Sequence, residues 1–212
     1  MNIRTMISAI IVAALAGCSP LAPRPDRSQF FILTPLAGRP DPSLTTGSAN
    51  TNSQLAIGVG PIDFPGYLRT RQMVTLAAPN QLDLSPEKRW AEPLDKNFAR
   101  VLTENLARLL NTQRIEKYPW PRNAAIDFQI AVDVQNFETT TDGQSQLSAQ
   151  WIIKDGPTGK DLYASQTLAS TPVAAGDAGE SAALSADLAT LSTDIASRIT
   201  ALNQHRLSAI EE

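Results

Sequence analysis

"IDFQIAVDV", residues 126–134, sets the architecture. Ile126, Phe128, Ile130, Val132 and Val134 fall on one side of an extended chain, with Asp127, Gln129 and Asp133 between them. Successive side chains of a strand point to opposite faces, so this period of two predicts a half-buried β-strand. Downstream, Asp142-Gly143 gives a tight turn. A strand over 145–153 follows, with Leu147, Ala149, Trp151 and Ile153 on one face. The turn Asp155-Gly156-Pro157-Thr158-Gly159 leads to a strand near 161–169, and small residues make 172–179 a loop. Asp177 with Glu180 resembles a capping box. A helix then carries the one-sided stripe Leu184, Leu188, Leu191, Ile195, Ile199 and Leu202.

Upstream of the central strand, 113–118 reads as a strand running into Pro119-Trp120-Pro121. Before it, Leu94, Phe98, Val101, Leu102, Leu106 and Leu109 recur at helical spacing, with Pro93 near the first turn. Residues 73–76 and 81–84, flanking Ala-Ala-Pro-Asn, read as a hairpin. A strand is expected over 55–62, where Gly58 and Gly60 point to close backbone approach. Turn formers over 37–54, with Leu44 the one large apolar residue in 37–53, predict a mobile loop. Gln29 to Leu33 reads as a first strand. No repeat occurs. The whole is a strand-rich mixed sheet covered by two amphipathic helices.

The N-terminus is of another kind. Met1 to Thr5 is short and basic, Met6 to Leu15 is apolar apart from Ser8, and Ala16-Gly17 precede Cys18. A basic start, a brief apolar run and small residues make a secretory signal. The run is too short to span a bilayer, which takes about 20 apolar residues. Leu15-Ala16-Gly17-Cys18 resembles the bacterial lipobox, in which the thiol is acylated and the Gly17–Cys18 bond is cut. The chain has one cysteine, and a chance placement beside a cleavage site is improbable. An acylated Cys18 is an anchor and therefore neither a nucleophile nor a metal ligand. Stable anchoring takes about two acyl chains, so a triply acylated cysteine would hold permanently. Ser19 stands where an Asp would resemble an inner-membrane retention signal, which favours the outer membrane. The sequence thus divides into a signal peptide (1–17), the acylated cysteine with a Pro-rich tether (18–27), one α/β domain (28–206) and a tail (207–212). The tether is semi-rigid, spanning about 3.1 Å per residue when extended.

With 1–17 removed, Arg4 is the only charge lost, leaving 17 basic against 21 acidic residues. Nothing in that balance suggests a nucleic-acid partner, which needs clustered Lys and Arg. A hydrophobic content of 42% suffices for a core. With no second cysteine, packing alone must hold the fold.

Catalytic chemistry finds few carriers. His205, the one histidine, lies past the apolar stripe of the last helix. Serine triads, Cys–His pairs and His-based metal sites therefore have no partners. Asp83, Glu87, Glu92 and Asp95 could form an acid/base pair as in glycosidases; the alternative is hydration and helix-start charges. Gly58-x-Gly60 lacks the rest of a phosphate loop. The stretch 63–72 (DFPGYLRTRQ) and Arg89-Trp90-Ala91-Glu92-Pro93-Leu94 mix aromatics, arginines and prolines. Such residue types are enriched at interface hot spots. Phe64, Tyr67, Arg69, Arg71, Gln72 and Trp90 are accordingly candidate interface residues, the alternative being a loop packed on its own core with Trp90 capping it.

At these residues the chain resembles a known family. Residues 58–110, the lipobox followed by "FFILTPL", the meander and the terminal helix are similar to the PqiC-type ABC-transport auxiliary lipoproteins. Arg71-Gln72 with Val74, and Arg89 to Leu94, carry the most specific part. Where the family often has a basic residue, this chain has Leu76. The resemblance implies a three-layer α/β/α fold around a mixed sheet, similar to anticodon-binding-like domains. It also implies a non-enzymatic outer-membrane component, without cofactor, of a transenvelope lipid-transport system. The implied partners are an MCE-domain tunnel subunit and its inner-membrane component, and a homo-oligomeric ring is expected to match the tunnel's end. The rival readings are a periplasmic lipid-binding carrier, needing an apolar pocket, and a carboxylate-dependent hydrolase.

Overall fold

The alternation at 126–134 builds the longest strand of a mixed sheet, and the other strands join its two edges. The computed structural model describes residues 26–37, 55–121 and 123–209. The elements are β1 (Gln29–Phe31), β2 (Ile57–Asp63), β3 (Gln72–Ala78), β4 (Gln81–Trp90), α1 (Leu94–Leu109), β5 (Ile115–Lys117), β6 (Phe128–Thr140), β7 (Ser145–Asp155), β8 (Asp161–Ala169) and α2 (Gly179–Ser208). Cys18, the signal segment, the tether before Asp26 and the loop expected at 37–54 (from residue 38 onward) lie outside the described residues.

β6 buries Phe128, Ile130, Val132 and Val134 and exposes Asp133 and Gln135. One edge pairs with antiparallel β7 along its length, Val132 opposite Trp151 and Val134 opposite Ala149, and β8 adds outside β7. The other edge is shared. Parallel β2 takes Phe128 to Asp133, and parallel β3 takes only Thr139 and Thr140. β5 flanks β2; β4 flanks β3, and β1 flanks β4 in parallel. The sheet is therefore forked, and residues 64–71 connect the two branches. Alternation in β6 breaks at a bulge between Val134 and Asn136, after which Phe137 returns to the core. Ile126 precedes the strand instead of belonging to it: its Cδ1 would lie 2.9 Å from a Cβ placed on Gly58. Gly60, at φ +125°, would clash with Tyr118 Cβ at 2.5 Å if it had a side chain. The expected close approach at both glycines is present.

Both helices pack on the core face of this sheet. α1 buries Leu94, Phe98, Val101, Leu102 and Leu106, against β2 and β5. Its start is Pro93, which has no N–H to leave unpaired, with Asp95 in the first turn, where the helix dipole favours a negative charge. Its end is closed by Asn111 at φ 50°; Asn111 N–H donates to Arg108 O and Thr112 N–H to Ala107 O. That is a Schellman closure with Asn in the left-handed position. α2 is 30 residues long, about 45 Å at 1.5 Å per residue. It buries Leu184, Leu188, Leu191, Ile195 and Ile199, against β7, β8 and β6. The capping box does not form. Ala178 is the cap residue, without a side-chain bond; Asp177 accepts from Gln29 Nε2 at 3.1 Å and Glu180 pairs with Lys88 Nζ at 2.6 Å. The expected α/β class with a mixed sheet and two main helices holds, and in the described residues both helices pack on the sheet's core face. The opposite face of β6–β7–β8 carries Asp133, Gln135, Gln146, Gln150 and Gln166 beside Ala131, Ile152 and Ala164.

The chain after β1 seals the helix seam. Thr34 N–H donates to Ser185 Oγ at 3.1 Å, Leu36 N–H donates to Asn105 Oδ1 at 2.8 Å, and Arg108 Nη1 donates to Leu36 O. Asn105 Nδ2 reaches Ser192 Oγ at 3.1 Å, joining α1 to α2 with both groups buried. Leu33 between them is fully buried. Strands, helices and this segment share one hydrophobic cluster.

Candidate functional site

The residues singled out in 63–72 fill the fork. Phe64 lies in the core, 5.1 Å from Phe98 in an edge-to-face contact, and Phe98 meets Phe137 the same way at 5.2 Å. Gly66–Leu68 form one 3-10 turn, with Leu68 N–H donating to Pro65 O and Arg69 N–H to Gly66 O. Leu68 is buried and Tyr67 half-buried. The expectation that this stretch presents exposed aromatic anchors is thereby corrected at Phe64. Its partner Phe98 is 34 residues away, so nothing local distinguishes a hot-spot phenylalanine from a core one.

Tyr67 OH donates to Glu138 Oε2 at 2.9 Å. Glu138 is 1% exposed and also accepts from Phe137 N–H at 2.8 Å and Asn136 Nδ2 at 2.9 Å. A buried carboxylate is costly unless donors replace its water, and these three do so. Burial, with the Glu138 charge beside it, pushes the Tyr67 hydroxyl far above the ordinary tyrosine range.

The other half of the motif meets across β3, β4 and β1. Gln72 sits opposite Arg89, and Gln72 Nε2 donates to Ser85 O at 3.0 Å. Trp90 N–H donates to Arg71 O at 2.7 Å, and Ala91 N–H to Phe31 O at 2.9 Å. Phe31 pairs with Trp90 and Phe30 with Arg89. Three separated sequence pieces, 30–31, 71–72 and 89–91, thus form one edge. Trp90 is core, 4% exposed, so it caps the interior instead of projecting as an anchor. Arg69 and Arg71 are exposed and Gln72 is half-buried.

The carboxylates do not gather as a pair of free acids. Glu92 Oε1 holds Arg100 at 3.0 Å, and Arg100 also holds Glu104 at 3.2 Å. Asp83 and Glu87 lie exposed on β4. Asp63, Glu92 and Asp95 line a cleft of about 460 Å³, interspersed with Lys96, Arg100 and Lys117. A second groove, about 520 Å³, runs over the exposed sheet face between Ala131, Asp133, Gln150, Ile152 and Ala164. His205 is exposed near the end of α2. Among the described residues no three His, Cys, Asp or Glu side chains come together at metal-binding spacing, and no helix is long and apolar enough to cross a membrane.

Two buried acids escaped the sequence reading. One is Glu138. The other is Asp187, fully buried, which accepts from Ser145 Oγ and Thr171 Oγ1 at 2.6 Å each. It ties α2 to the start of β7 and the start of the loop after β8. Burial raises its carboxyl above the ordinary range, opposed by the two hydroxyls. The available signals were a period-two pattern failing at 135–138 and an acid inside the apolar stripe of α2.

Comparison with known proteins agrees with this architecture. No curated protein matches the chain. A crystal structure of protein XCC0632 from Xanthomonas campestris is similar with a TM-score of 0.67 at 13% identity, covering 86% of this chain and 99% of that one. An uncharacterized protein of known crystal structure is similar at a TM-score of 0.64 and 19% identity, covering 81% and 98%. These likenesses show the fold. The family of ABC-type transport auxiliary lipoprotein components matches residues 39–196, from before β2 into the second half of α2. With the motif pieces 71–72 and 89–91 inside that range and gathered on one edge, the chain belongs to the ABC-type transport auxiliary lipoprotein components.

Proposed function

We propose that this protein is the outer-membrane-anchored, non-catalytic component of an MCE-type transenvelope lipid-transport system. It is held on the periplasmic face by acylated Cys18 and docks the distal end of the tunnel subunit, whose inner-membrane component completes the system. The family match over 39–196 carries this reading. The lipobox at 15–18 supports the anchor. The ion pairs that occupy Glu92, Arg100 and Glu104 support a structural role for these charges over acid/base work.

A single small domain meets a multi-subunit tunnel end most simply as a closed cyclic homo-oligomer. Phe64 and Trp90 are committed to the core, so ring contacts fall to exposed Arg69 and Arg71, with Gln72 and the accessible side of Tyr67. Cross-linking in native membranes, followed by purification of the lipoprotein, is expected to recover an MCE-domain subunit and higher-order copies of the chain. Arg69→Glu with Arg71→Glu is expected to lower the mass seen by light scattering, since truncating a hot spot costs about 2 kcal/mol or more. A strict monomer in both settings sinks the ring. Recovery of the ring without any MCE-domain subunit sinks the docking role.

A further inference from the structure

β1 presents large apolar side chains to solvent at the place where the tether arrives. Phe30 is 62% exposed and Ile32 48%, although Phe31 and Leu33, which alternate with them, pack on or in the core. β1 is an edge strand, paired on one side by β4, and Ile32 directly follows it, so both residues stand at the rim of the sheet. Arg89 stands beside Phe30 in register, and Arg27 is exposed two residues before the strand. Aromatic and aliphatic side chains set among arginines suit the boundary between acyl chains and headgroups, where apolar bodies sink and cations meet phosphate.

Only ten residues, 19–28, separate Cys18 from β1. Fully extended they span about 35 Å at most, and a proline-rich course of about 3.1 Å per residue gives about 30 Å. Whatever holds Cys18 therefore keeps β1 within about 35 Å of it. Leu168, at 72% the most exposed large apolar residue among those described, lies on β8, at the end of the branch that leaves β6 through β7. It has no such constraint.

We propose that the β1 rim, with Phe30 and Ile32 flanked by Arg27 and Arg89, rests on the lipid surface in which Cys18 is anchored. This rests on the reading of Cys18 as an acylated anchor. The rim fixes how the domain stands: β1 and the β3–β4 hairpin base face the bilayer, and β8 faces away.

The chain's one cysteine is consumed by the anchor, so an introduced cysteine is a unique label site. The acylated mature protein is placed in nanodiscs of phosphatidylethanolamine and phosphatidylglycerol, 3:1, containing a lipid with a quencher high on its acyl chain. A polarity-sensitive fluorophore is attached at Phe30→Cys, Ile32→Cys or Leu168→Cys in separate proteins. All three positions are exposed, and a fold lost in one of the rim variants leaves the other to report. At 30 and 32 the emission is expected to shift blue and lose most of its intensity to the lipid quencher; at 168 it does neither. Intact mass of the same samples reads the acyl groups on Cys18. Labels at 30 and 32 that quench no more than at 168, on acylated protein, overturn the lipid contact alone. An N-terminus without acyl mass overturns the anchor, and the contact with it.

Discussion

Tyr67 and Glu138 show what a single buried acid asks of its surroundings. Removing the hydroxyl in Tyr67→Phe leaves Glu138 one donor short, which is expected to cost about 1–3 kcal/mol in denaturant unfolding. The hydroxyl's proton is held more tightly folded than unfolded. Its contribution is therefore complete below about pH 10, where an unfolded tyrosine ionises, and is lost as pH rises beyond. The stability gap between wild type and Tyr67→Phe should narrow there, and a gap constant through alkaline pH would contradict this account. Asp187 has the same sign at the acid end. Its folded carboxyl is raised, so its favourable contribution is complete below about pH 3.9, the unfolded value. That contribution fades as pH climbs through the folded one. Melting temperatures across pH 4–8 should thus shift in favour of Asp187→Asn, relative to wild type, as pH rises. Neither acid was legible as a site in the sequence: Asp187 takes its donors from Ser145 and Thr171, and Glu138, beside its neighbours Asn136 and Phe137, needs Tyr67, all brought near only by the folded chain. At Phe64 and Trp90 the sequence left an interface and a packed core as alternatives for a related reason: the residue types that serve interfaces also serve cores, and both side chains are buried.

At the scale of elements, periodicity was a sound guide wherever one face was apolar. β6, β7 and β8 and both helices stand where alternation and helical stripes placed them, β8 to the residue. Boundaries slipped where tertiary contacts took over. β4 runs on to Trp90, past Pro86, since β1 pairs with its last three residues; β1 lies far away in sequence. The start of α2 reads as a capping box, but Asp177 and Glu180 are taken by Gln29 and Lys88 of the β1–β4 pair. Phe98 joins the layers, fully buried between Phe64 and Phe137. Phe98→Ala is expected to cost about 3–5 kcal/mol, read as a lowered denaturation midpoint with an unchanged slope. Asn105→Ala would unlatch the 32–36 segment from the helix seam, leaving Leu36 N–H without its acceptor and Ser192 Oγ with only its bond to Leu188 O. Faster hydrogen exchange at Thr34 and Leu36, with the centre of β6 unaffected, is the expected signature; uniform acceleration would mean that the seam is not a separate latch.

For the molecule as a whole, the described core begins at Leu33. Cys18→Ser is expected to leave an unacylated precursor whose domain still melts cooperatively, and loss of that transition would make the cysteine more than an anchor. The fork in the sheet has a mechanical consequence for a protein held by its N-terminus. A pull along the tether enters at Gln29 and passes into β1, β4 and β3. From there the β-sheet route to β6 is a seam of two residue pairs, Thr75–Thr139 and Leu76–Thr140. A second route leads from the same strands into the front of α2, through Gln29–Asp177 and Lys88–Glu180. From there the load spreads along a strut of about 45 Å. Lys88→Ala with Glu180→Ala should barely change thermal melting, because a pair of this exposure contributes about 1 kcal/mol or less. In single-molecule stretching from position 18 the same variant should yield at lower force. Helix α2 then acts as a mechanical strut as well as a cover for the sheet, sharing with the two-pair seam any tension that enters through the N-terminal segment.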